Sequence, residues 1–355
     1  MARLRSKDLA ALALLSACSP AVPIEPQPSA SSSAAPLAAR ASAAPPPAPP
    51  PSIAPSSAPA PAPRIAFSVA EAEEILYPAG VPGDAACPPA TDAPSRVRCL
   101  LELRYGGHEG EKKTALSLFE ASGSVAGVER EQMMDGGFRG TLHLVPELPV
   151  GRHEKHLSWV TASSIDFDAF FEGLAKHTDK PVQYRHRPIA WKFFRSVNRT
   201  TPSAYAIGWT VAYNVSGSLH GSADAVRETL FHEIFHLNDA ARSTGAQQWS
   251  RRVLGPIHDA ILAKCGTRAA CLTPYAPTTT MVRGGTYYAF QPNNGDAVHE
   301  YAADLAARYY REVRAVLREE KPLRPAFKCG PEENARAWRL LADEFFGGVD
   351  LVPGC

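Results

Sequence analysis

Residues 223–242 run without proline or glycine, and Val226, Leu230, Phe231, Ile234, Phe235 and Leu237 are apolar on nearly every side of a helical projection. A helix with that pattern is expected to be buried between two lobes of a fold. Gly217 and Gly221 punctuate a turn before it, and Ser222 is an N-cap residue by type and place. Arg242 lies in its last turn, and Gly245 is suited to the C′ position. Upstream, residues 204–215 are rich in β-branched and aromatic side chains and predict one strand. Downstream, Gly295-Asp296 opens a second uninterrupted helix over residues 297–320, which Lys321-Pro322 closes.

Ile165, Phe167, Phe170, Phe171 and Leu174 fall at helical spacing and predict a helix over 166–176. Residues 182–197 read as a strand pair, and 331–346 as a final helix. The stretch 97–160 reads as β-rich, with strands at 99–105, 114–119 and 141–145 and a turn at Ser122-Gly123. Together these elements predict an α+β fold, and the chain beyond Arg64 is long enough for a large core and two lobes.

The buried helix carries His232-Glu233-Ile234-Phe235-His236. On a helix, residues four apart leave the same face one turn apart, so both imidazoles can share one metal ion. Glu233 stands beside them, placed to act on a water rather than to become a ligand. As incidental core residues, two imidazoles and a carboxylate would sit without partners in an apolar setting, which is costly.

A catalytic zinc takes three protein ligands and keeps one position for water. Glu300, at the start of the second long helix, is the preferred third ligand; Asp304 follows one turn later, and Ala303 and Ala307 would let the two helices pack closely. Asp239 lies on the histidine helix, about 4.5 Å further along its axis than His236, so an outer-shell or capping role suits it better. His299 points about 100° away from Glu300 around the helix. No Gly-x-x-His follows His236, which argues against a metzincin arrangement.

These two motifs resemble those of the gluzincin metallopeptidases, in which an HExxH helix is joined by a later helix carrying E-x-x-x-D or E-x-x-A-D/E. Glu300-Tyr301-Ala302-Ala303-Asp304 fits the second motif residue for residue. The spacing is similar to the prenyl-protease-like gluzincins, and Asp239, three residues after the second histidine, is similar to the anthrax lethal factor group. The resemblance implies zinc held by His232, His236 and Glu300, with Asp304 accepting a proton from the far nitrogen of His232. Gluzincins often place a Tyr or His opposite the catalytic glutamate; Tyr288 is the candidate, and packing is the alternative use of Tyr287 and Tyr288. The implied fold is a zincin-like domain over 161–355, its active-site helix between two lobes, preceded by a β-rich region over 65–160.

Arg3, Arg5 and Lys7 precede an apolar run at 9–15 that is too short to span a bilayer. Leu15-Ser16-Ala17-Cys18 resembles the bacterial lipobox, which implies a signal peptide over 1–18 and a lipid on Cys18. Residues 19–64 are almost entirely Ala, Pro and Ser; they cannot bury enough apolar surface to offset chain entropy and predict a disordered tether. Of seven cysteines, Cys18 leaves an even number for an oxidising compartment. Nearest-neighbour pairing gives Cys87–Cys99, Cys265–Cys271 and Cys329–Cys355, and the absence of C-x-x-C spacing argues against cysteine ligands. A formal net charge of +1 with no basic stripe excludes a nucleic-acid partner from the expectation.

The resulting expectation is a monomeric zinc metalloendopeptidase, lipid-anchored in the bacterial envelope and facing the periplasm or the cell exterior. Its partners would be a protein or peptide substrate and a membrane. Two other classes compete: a non-catalytic surface-binding lipoprotein with structural zinc, and a zinc amidase acting on cell-wall peptides. A structural zinc needs no general base, so Glu233 weighs against the first.

Overall fold

A computed structural model of the chain describes residues 67–80, 86–88, 92–135, 140–282, 284–292, 296–321 and 323–355. Cys18, the 19–64 segment, Gly295 and Pro322 lie outside the described residues. In chain order the elements are α1 (Val69–Leu76), α2 (Ala93–Arg104), α3 (Glu109–Ser122), β1 (Val125–Val128), β2 (Gln132–Asp135), β3 (Thr141–Pro146) and α4 (Glu154–Ala175). There follow β4 (Ala190–Ser196), β5 (Ala204–Ile207), β6 (Thr210–Asn214), α5 (Ala223–Ala241), α6 (Trp249–Val253), α7 (Gly255–Cys265), α8 (Ala269–Leu272), α9 (Ala297–Leu317) and α10 (Glu332–Phe345).

The fold is α+β. Among the described residues one sheet has the order β2-β3-β4-β6-β5, with β1 added beside β4. β4 is its centre: parallel to β1 over its first half, antiparallel to β3 over its second, and parallel to β6 along its other edge. That position buries it on both faces, so Ala190, Trp191, Phe193, Phe194 and Ser196 are all buried, unlike the half-buried alternation of β3.

Four readings of the sequence are corrected. Segment 65–160 is not β-rich: 99–105 and 114–119 lie in α2 and α3. Their buried residues, Val97, Leu100 and Leu101, then Ala115, Leu118, Phe119 and Ser122, recur at three and four, the helical period. Asp92 caps α2 through the Ser95 amide, and Gly123 ends α3 in the left-handed region at φ 68°. The boundary at 160/161 falls inside α4, which starts twelve residues before the expected 166, and one core cluster runs from Phe67 to Val352. Residues 204–215 are a hairpin rather than one strand: Gly208 and Trp209 both take positive φ, 57° and 64°, and turn the chain between β5 and β6. Of the strand pair expected at 182–197, only β4 forms.

Other readings hold. Ser222 caps α5 by accepting from the Ala225 amide at 3.2 Å, and α5 ends one residue before Arg242; Gly245 serves the turn bridging Thr244 and Gln247 instead. The Cys87–Cys99, Cys265–Cys271 and Cys329–Cys355 disulfides are all present. No helix among the described residues is long and apolar enough to cross a membrane.

The core positions the site. Phe231, just before His232, stacks on Tyr310 of α9 at 4.4 Å and on Tyr184 at 4.9 Å, and the Tyr184 hydroxyl donates to the Phe231 carbonyl at 2.9 Å. Burying such an aromatic side chain stabilises by roughly 1.5–3 kcal/mol. Behind it, Asp166 of α4 accepts from Tyr310, Arg314 and Arg318, tying α4 to α9. Burial opposes the Asp166 carboxylate, but Arg314 and Tyr310, with the charge of Arg227, outweigh it and hold its pKa below the ordinary value.

Candidate metal centre

α5 and α9 lie antiparallel, and their contacts fall at regular stations. Glu228 meets Arg311 at 3.5 Å, His232 meets Asp304 at 3.1 Å, and His236 meets Glu300 at 3.5 Å. As the number rises along one helix it falls along the other. The small Ala303, fully buried, lies between Glu300 and Asp304 in this packed seam.

At the centre, His232 Nε2 lies 3.1 Å from Glu300 Oε2 and 3.1 Å from His236 Nε2. Three donors on a tetrahedral ion at about 2.1 Å would be about 3.4 Å apart. The observed separations of 3.1, 3.1 and 3.5 Å match that edge. His232 Nδ1 donates to Asp304 Oδ1, so in the neutral ring, the form that ligates a metal, Nε2 carries the lone pair. That lone pair faces a second imidazole nitrogen and a carboxylate oxygen of Glu300, which is 2% exposed. Acceptors aimed at one point need a proton or a cation between them. His232, His236 and Glu300 therefore form a group that could hold a metal ion.

The electrostatics couple these groups closely. Burial opposes charge on Glu300, but His236 and His232 outweigh it and hold the carboxyl well below its ordinary range. Glu300 also lies in the first turn of α9, where the helix dipole favours a negative charge. Burial likewise opposes protonation of His232, and Asp304 and Glu300 override it and raise its pKa. Glu233 behaves oppositely: burial raises its carboxyl, Glu300 adds to this, and the two imidazoles only partly offset it.

The other sequence candidates separate. Tyr288 opens a one-turn helix, Tyr288–Phe290, and its ring centroid is 6.2 Å from that of His232. Tyr287 turns elsewhere and bonds Thr273 at 3.0 Å. Asp239 accepts from the Ser250 amide at 2.8 Å in the first turn of α6 and lies outside the ligand group. His299 is directed to Ser250, not to the ligand group.

Two residues were missed. The Thr278 hydroxyl donates to Asp304 Oδ2 at 2.9 Å, extending the line His232–Asp304 by one member. Ser250 joins Asp239 to His299. Neither lies in a periodic or motif context, so no local signal marks them. Thr278 sits in the segment after the Cys265–Cys271 bridge, which also leads to Tyr288, whose amide donates to the Thr280 carbonyl.

No protein-family model matches the chain, and neither a curated protein nor a solved structure matches it.

Proposed function

We propose that the chain is a zinc-dependent metallopeptidase of gluzincin type. The observation that carries this reading is the convergence of His232, His236 and Glu300 on one point, with Glu233 on the same helix and not among the ligands. Zinc, when bound, supplies Lewis acidity and brings a water toward deprotonation near neutral pH. With zinc bound, His232 and His236 would offer neutral nitrogens, and Asp304, steadied by Thr278, would keep the His232 proton on Nδ1. Glu233, its affinity for protons raised by burial, accepts the proton of the attacking water and later delivers it to the leaving amine. Tyr288, whose ring lies 6.2 Å from that of His232, is the candidate donor to the developing oxyanion. β5 ends the sheet among the described residues, so its outward backbone groups offer an extended peptide an edge to pair with.

The purified protein is expected to carry one zinc per chain by mass spectrometry. A strong chelator should abolish hydrolysis of a mixed peptide library, and added zinc should restore it. Hydrolysis indifferent to chelation, or a Glu300→Ala protein with full metal content, would overturn the reading.

The envelope location belongs to the proposal on sequence grounds alone. Cys18→Ala is expected to move the protein from the membrane fraction to the soluble one. A membrane-bound variant would remove the lipid anchor.

A further inference from the structure

One station further along the α5–α9 seam, Asp239 of α5 and His299 of α9 approach to 3.3 Å, and Ser250 of α6 is inserted between them. The Ser250 amide donates to Asp239 Oδ1 at 2.8 Å and its hydroxyl to Asp239 Oδ2 at 2.5 Å. With that proton committed, Ser250 Oγ accepts from His299 Nδ1 at 2.6 Å. Asp239 and Ser250 are both 0% exposed. This is not a nucleophile and its base: the hydroxyl is sealed from substrate, and its proton goes to the carboxylate, not to the imidazole.

We infer that Asp239, Ser250 and His299 are positioning residues that set the register of α9 against α5, and with it the separation of Glu300 from His232 and His236. The inference rests on the metal-centre reading above. His299 immediately precedes Glu300, and Asp239 lies three residues after His236, so a shift at this station is transmitted to the ligands. A slip of one residue moves a helix by about 1.5 Å, against a tolerance of about 0.2 Å in metal–ligand distance. The station at the other end of the seam, Glu228–Arg311, is over a third exposed on both sides and can restrain little. At the ligand end of the seam, the buried three-residue contact adds to the Phe231–Tyr310 stacking and the His232–Asp304 bond in holding the spacing.

The test measures zinc affinity by competition with a chromophoric chelator, and the visible spectrum of the cobalt-substituted protein, well below the melting temperature. Ser250→Ala is expected to weaken zinc binding at least about tenfold and to alter the cobalt bands, and Ser250→Thr to restore both. A change confined to melting temperature, with wild-type affinity and spectrum in Ser250→Ala, overturns the inference. Should Ser250→Ala fail to fold, His299→Asn, which keeps a donor at the Nδ1 position, is expected to bind zinc more tightly than His299→Leu; equal affinities overturn the inference. A wild-type protein that binds zinc but cleaves no peptide removes the hydrolase reading and leaves this one standing. A wild-type protein that binds neither metal overturns both.

Discussion

The Glu233→Gln protein is expected to retain its zinc and to lose peptide hydrolysis by about two to four orders of magnitude. The substitution keeps size and hydrogen-bonding shape but removes the site that accepts a proton. His232, His236 and Glu300 do not depend on Glu233 for their positions: they are held by Asp304, by the α5–α9 packing and by one another. Burial raises the Glu233 carboxyl above its ordinary value, which increases its affinity for a proton. Metal content and turnover on a peptide library, measured side by side, decide the matter. Equal turnover in both proteins would remove Glu233 as the base, and zinc binding without turnover in either would favour a surface-binding lipoprotein.

Acid is expected to destabilise the fold by about 5 kcal/mol between pH 7 and pH 4.5 through two histidines outside the candidate metal centre. His156 of α4 bonds the Tyr213 hydroxyl through Nδ1 at 2.8 Å, and His220 stacks on the Tyr213 ring at 3.9 Å. They are 3% and 4% exposed. His220 donates from Nδ1 to the Asn214 carbonyl, and its Nε2 is buried without a hydrogen-bond partner among the described residues. Burial is the main reason that His156 is pushed down to about 3 and His220 to about 4; His220, Lys155 and His153 add to the effect on His156. Both groups bind protons more weakly in the folded state than the usual 6.5. Their contribution is therefore intact above pH 6.5 and is lost as pH falls from there toward 4 and 3. Urea unfolding of wild type and His156→Gln, each at pH 7 and 4.5, isolates the effect, because other titrations cancel in the comparison. The variant is expected to lose about half of the dependence, roughly 2.5 kcal/mol. Identical pH dependence in the two proteins would refute the assignment.

Local chemistry was enough to place α5, α9 and α10, because each is long, periodic and marked at its ends by residues such as Ser222 or Pro331. It was enough for the disulfides too, since every bridge closes a short stretch of chain. α2 and α3 were misread because a short apolar run such as Cys99-Leu100-Leu101 carries no period of its own. The β5–β6 turn was missed because Trp209 is not a residue that announces a positive φ.

The metal group divides along the same line. The pairing of His232 with His236 follows from one turn of helix, a distance covalent geometry sets without help from the rest of the chain. Glu300 and Asp304 could be named from their motif, but their approach to His232 depends on α9 packing antiparallel to α5. Thr278 and Ser250 could not be named at all. Their partners lie 26 and 49 residues away, Asp304 for one and His299 for the other, across elements whose meeting is set by the core. A hydrogen bond between distant residues leaves no trace in the residues beside either of them. Only packing the apolar faces of α4, α5 and α9 together brings such groups within reach.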